Sequence, residues 1–145
     1  MSNQVKKVAD VIKVLQGGIE FYQEAIKKVD TQSFIGIFQR MISEKQEAIN
    51  SLQPFAINEQ GEKEDDTHWM IDSRKMYTSL ISKMSSDAEH TYIDQLEEVE
   101  DKVLESLDDA LSEEQPEGCL SALRQVRIKA QKMHDEMKDL QEATE

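Results

Sequence analysis

The chain has 145 residues, with 17 basic and 30 acidic side chains, a formal charge of −13, two prolines and one cysteine. That length fits a single domain, 1–145, whose core needs no disulfide or metal staple, and the lone Cys119 excludes an intramolecular disulfide. Residues 87–117 hold thirteen acids against one base, Lys102, so nucleic acid and anionic membrane are poor partners for that surface.

The N-terminal MSNQVKKVADVI has no apolar signal core, and no apolar run approaches the roughly 18–20 residues of a membrane span. The expectation is a reduced, cytoplasmic protein. Abundant Glu, Lys, Gln, Leu, Met and Ala predict an all-α chain.

Val5, Val8, Ile12, Leu15, Ile19, Tyr22, Ile26 and Val29 alternate spacings of three and four, and predict a helix over about residues 3–28. Gly17-Gly18 lies inside it, a place for close helix approach or a kink. After Asp30-Thr31-Gln32 the pattern resumes with Ile35, Phe38, Met41, Ile42, Ala48, Ile49 and Leu52, over about 33–53, where Pro54 is expected to end it. So short a turn makes these two helices antiparallel neighbours.

Residues 55–67 read as a polar surface connection, and Trp69, Met76, Tyr77, Leu80, Ile81 and Met84 mark a shorter amphipathic helix over about 68–84. Ser86-Asp87-Ala88-Glu89 has the form of a capping box, with Glu89 reaching back to open a helix over about 87–111. Its stripe is Ile93, Leu96, Val99, Val103, Leu107 and Leu111. Pro116 then makes a turn, and Cys119, Leu123, Val126, Ala130, Met133, Met137 and Leu140 define a last helix over about 118–142. Two antiparallel hairpins, joined by a long crossover that contains an extra helix, form a four-helix bundle of ferritin-like connectivity. The competing arrangement is an up-down bundle with a fifth helix packed on its side.

A ferritin-like di-metal site takes a glutamate from each of two helices and Glu-x-x-His from each of the other two, all facing inward. The three histidines are preceded at that spacing by Gln131, Asp87 and Asp65, so the ligand set is incomplete. Stepping about 100° per residue turns Glu20, Glu44 and Glu47 away from their stripes, whereas Lys45 and Glu100 fall near the centre of theirs. Each lies about thirteen residues into its helix, and His134 borders the core roughly 6 Å further along. The expected site is therefore a polar cluster of Lys45, Glu100 and His134, with a buried Lys45–Glu100 pair at its heart. The alternative has Lys45 reaching out to solvent and Glu100 at a wet boundary.

GIEFYQEAI in the first helix, IFQRM in the second, HWM opening the crossover helix, LEEVED in the third and MHDEMKDL in the last carry a family likeness. Over about residues 10–142 the chain resembles the bacterial ferritin-like four-helix-bundle proteins of unknown function, distant relatives of rubrerythrin-like and other di-iron bundles. The resemblance implies the ferritin-like fold. Glu97, Glu100 and His134 match the family's acidic and histidine motifs, while Ile19, Tyr22 and Lys45 at inward positions depart from a di-iron pattern.

The resulting expectation is a non-enzymatic bundle, a stress-related or accessory protein acting through a protein partner or self-association, with no cofactor. The competing class is a ferritin-like oxidoreductase or metal-storage protein holding Fe, Mn or Zn on Glu97, Glu100 and His134.

Overall fold

The computed structural model of the chain describes residues 4–64 and 88–144. Four helices are present, α1 Val8–Lys28, α2 Gln32–Gln60, α3 Ala88–Leu111 and α4 Glu117–Ala143, with no strand among the described residues. The helix expected over about 68–84, with Trp69 and His68, lies outside them. Among the described residues no helix is long and apolar enough to cross a membrane.

α1 packs against α2 and α3, and α4 packs against α3 and α2, so the four helices form a ring around one core. Contacts between helix ends give the directions. Glu89 at the start of α3 bonds Asp30 and Thr31 in the α1–α2 turn. Glu59 near the end of α2 bonds the first amides of α1. Gln141 near the end of α4 bonds Asp94 near the start of α3. Neighbours in the ring are therefore antiparallel, and α2 and α3 run the same way along its diagonal. The end of α2 and the start of α3 consequently lie at opposite ends of the bundle.

The buried faces are wider than a single seam because each helix has two neighbours. On α1 the fully covered set includes Val11, Phe21 and Ala25 besides Val8, Ile12, Leu15 and Tyr22. On the other helices Phe38, Met41, Leu52, Ile93, Leu96, Leu107, Cys119 and Leu123 complete a contiguous core. Each such Leu, Ile or Phe contributes about 1.5–3 kcal/mol on burial. Cys119 is a core residue, and burial pushes its thiol up to about 11, which keeps it protonated.

Two boundaries differ from expectation. α1 starts at Val8 rather than near Asn3, because Lys7 turns into the left-handed region at φ 64° and Glu59 supplies the cap. Its Oε1 accepts from the amides of Val8 at 2.9 Å and Ala9 at 3.0 Å, a carboxylate at the positive end of the helix dipole. Val5 is still buried, but in a non-helical segment whose next amide, Lys6, bonds Gln115. α2 runs through Pro54 to Gln60. The ring removes one amide donor, and the carbonyl it orphans belongs to Asn50, an exposed residue that water can serve. Leu52 and Ala56, both fully buried, hold the helix on either side, and Gly61 closes it in the left-handed conformation with φ 87°.

Glu89 also differs from its expected role. Its Oε2 accepts from the amides of Asp30 and Thr31, both at 2.9 Å, and its Oε1 from the Thr31 hydroxyl at 2.8 Å. It thus caps α2 across the bundle, while Ser86 lies outside the described residues. These bonds, led by the Thr31 amide, hold the Glu89 carboxyl below its ordinary value of 4.5. A depressed folded-state pKa contributes stability above the unfolded value and loses it as pH falls through the folded one. Glu89→Ala is expected to lower stability by about 1 kcal/mol at neutral pH, as for a lost cap. In urea melts at stepped pH, the gap to wild type is expected to close below about pH 4.5. A gap that persists at about pH 2 would mean the loss came from packing instead.

Candidate functional site

At mid-height of the bundle each helix places one polar or polarisable side chain against the others. Lys45 continues the buried row of α2 between Met41 and Ala48, and its side chain is fully buried. Its Nζ donates to Glu100 Oε1 at 2.8 Å and Oε2 at 2.6 Å, and Glu100 of α3 is likewise fully buried. Tyr22 of α1 donates its hydroxyl to Glu100 Oε2 at 2.5 Å. Met133 of α4 brings its Sδ to 3.7 Å from Lys45 Nζ, and the ammonium stands 4.8 Å from the centre of the Tyr22 ring. The cluster is thus a phenol, an ammonium, a carboxylate and a thioether.

The chemistry of the set is self-contained. Lys45 and Glu100 sum to zero charge. The Tyr22 phenol titrates well above its usual range, because burial disfavours phenolate and the Glu100 charge and hydrogen bond add to that. It therefore remains a donor. Tyr22 also packs edge-on against Phe38, with ring centroids 5.7 Å apart, so its ring belongs to the core and only its hydroxyl to the cluster.

Gly18 makes room for the lysine stem. A Cβ there would stand 3.1 Å from Val99 Cγ1 and 3.2 Å from Lys45 Cε. Both neighbours are held, Val99 by α3 packing beside Glu100 and Lys45 by its ion pair. Glycine at this position thus serves the close approach of α3 and of the lysine stem.

Removing either ion partner alone is expected to destabilise by about 3–5 kcal/mol, since a buried charge is left unpaired, whereas an apolar double replacement is about neutral or better. Denaturant melts of Lys45→Met, Glu100→Leu and the double variant measure this coupling. Single changes as mild as the double one would show that no coupling exists. In an unconstrained helix Gly→Ala stabilises by about 1 kcal/mol. Gly18→Ala is instead expected to lower the melting temperature, and a rise would mean the lysine stem yields freely.

His134 does not join this core pair. Its Nε2 lies 2.7 Å from Asp101 Oδ1 and 3.2 Å from Glu97 Oε1, on the half-buried seam between α3 and α4. Its Nδ1 faces Asp135 Oδ1 at 3.3 Å. The residues named together by sequence therefore fall into two places: Lys45 with Glu100 inside, and His134 with Glu97 outside. Asp101 takes the position beside His134 that was expected for Glu100. A residue i+4 from Glu97 shares its helix face, a spacing readable in LEEVED, whereas Glu100 is rotated inward by the Val99–Val103 row.

Burial raises the Glu97 pKa, and repulsion from Asp101 adds to it against the opposing pull of His134 and Lys138. Burial alone would lower the His134 pKa, but hydrogen bonds to Asp135 and Asp101 and the charges of Asp101 and Glu97 outweigh it and raise it. Asp135 is lowered, first by a hydrogen bond from Gln131 and then by His134.

Fold and site define an all-helical bundle with a polar cluster sealed at its centre. The chain belongs to a family described as a domain of unknown function, DUF2383, whose model matches residues 3–113. That match contains Tyr22, Lys45 and Glu100, while Met133 and His134 lie beyond it. Comparison with the curated proteins and with the solved structures finds no match.

Proposed function

We propose that the protein is a ferritin-like four-helix bundle without enzymatic activity, an accessory protein acting through protein contacts or self-association. In it the Lys45–Glu100 pair stands where a di-metal centre would sit. The observation that carries this reading is the Lys45 Nζ–Glu100 Oε2 contact of 2.6 Å between two fully buried side chains. A di-metal centre needs carboxylates or histidines from all four helices at this level. Here three of the four helices contribute an ammonium, a phenol and a thioether, and a fixed positive charge repels any cation from the same space. The residues present do not fit that centre.

The ferritin-like connectivity is supported by the common direction of α2 and α3, which bundles with one long crossover share. Action through contacts is supported by Ile128, 59% exposed on α4, and by an open groove of about 130 Å³ between α2 and α4, where Ala48, Ala122 and Val126 are flanked by polar and charged side chains including Glu47 and Lys129.

Aerobic Fe(II) oxidation in the presence of the full chain is expected to proceed at the rate of buffer alone. The Lys45→Met/Glu100→Leu double variant, which retains a packed core, is expected to give the same rate. Saturable Fe(II) uptake with faster oxidation in wild type, lost in the double variant, would overturn the reading.

A further inference from the structure

The outer seam of α3 and α4 gathers a different set of donors. His134 Nε2, Glu97 Oε1 and Asp101 Oδ1 all lie within 4.8 Å of one another, two carboxylate oxygens and an imidazole nitrogen around one point. The two distances from Nε2, 3.2 and 2.7 Å, approach the roughly 3.0–3.4 Å that separates two donors on one ion about 2.1 Å from each. The side chains of His134 and Glu97 are each only 14% exposed, while Asp101, at 53%, leaves the point open to solvent on one side. Among the described residues, the only cationic group within ion-pair reach of Glu97 and Asp101 is the His134 ring itself.

The ring is aimed by a separate chain of contacts on α4. Asp135 Oδ1 faces Nδ1, Gln131 Nε2 donates to that same oxygen at 2.9 Å, and Arg127 donates to Gln131 Oε1 at 2.8 Å. Without metal, Nε2 carries a proton and donates towards Asp101; a cation that displaces this proton would leave Nδ1–H on Asp135, the carboxylate–histidine arrangement that orients histidine ligands towards a metal.

We propose that Glu97, Asp101 and His134 form a mononuclear site for a first-row divalent cation, which ties α3 to α4, with Asp135 as its positioning residue. Mixed nitrogen and carboxylate donors suit Zn²⁺, Fe²⁺ or Mn²⁺ rather than a cation needing an all-oxygen cage. The site is separate from the Lys45–Glu100 core, so it stands or falls independently of the function proposed above.

Calorimetric titration of the full chain with Zn²⁺ at neutral pH tests this. One saturable equivalent is expected, with a rise in melting temperature on binding. His134→Ala and Asp101→Asn are each expected to weaken binding by about tenfold or more, and Asp135→Asn by about tenfold. Circular dichroism of the metal-free variants checks that they fold; Asp101 is half exposed, so its amide is expected to be tolerated. The Lys45→Met/Glu100→Leu variant is expected to bind as wild type does. Absence of a saturable equivalent, or binding unchanged in His134→Ala and Asp101→Asn, overturns this site alone. Binding lost only in the core double variant overturns both this site and the metal-free core.

Discussion

A lysine ammonium and a glutamate carboxylate sealed from water in the middle of four helices impose the tightest constraint on this structure. Each ion loses its hydration, so each must find compensation within one side chain's reach. Lys45 reaches Glu100 only if α2 and α3, on opposite corners of the ring, stay at the spacing its stem can span. Tyr22 fills a remaining lone pair of the carboxylate, and the bare backbone at Gly18 leaves the channel through which the stem passes. Apolar packing alone would tolerate small shifts among the helices. The ion pair does not, because moving either charge away from the other exposes a full desolvation penalty.

The ends of the bundle are held by related chemistry in wetter surroundings. Glu59 at the start of α1 and Glu89 at the start of α2 are caps donated from other helices. Gln115 joins three segments: its amide nitrogen donates to Ala110 and its oxygen accepts from Lys6 and Cys119. None of the three helices whose N-cap is described, α1, α2 and α4, shows a local side-chain cap of its own. Orphaned helix-end groups are therefore satisfied through tertiary contacts, which links the integrity of each helix to that of the ring.

The acidic face of α3 divides by rotation. Glu100 turns inward and is neutralised by Lys45, whereas Glu97 and Asp101, on the adjoining face, meet His134 across the seam. One short stretch, LEEVED, thus supplies both the carboxylate that pairs with Lys45 in the core and the two carboxylates of the outer seam. Their different environments follow from rotation around one helix, about 60° from Glu100 to Glu97 and about 100° from Glu100 to Asp101.

Four helices were legible in the sequence, because hydrophobic spacing of three and four records which face each one buries; the fifth, expected over about 68–84, lies outside the described residues. The sequence also brought Lys45 and Glu100 to one level, since rise and rotation per residue are constants of the α-helix. Periodicity says nothing about contacts between distant segments. It could not show that Val5 is buried without being helical, or that α2 would continue past Pro54 once Ala56 was anchored in the core. Nor could it show that Glu59 and Glu89 would cap other helices, that Tyr22 would turn its hydroxyl to Glu100, or that Asp101 would stand beside His134. Those arrangements depend on side-chain direction across helix interfaces, where a few ångströms and tens of degrees decide which partner is met, and only the packed tertiary structure sets them.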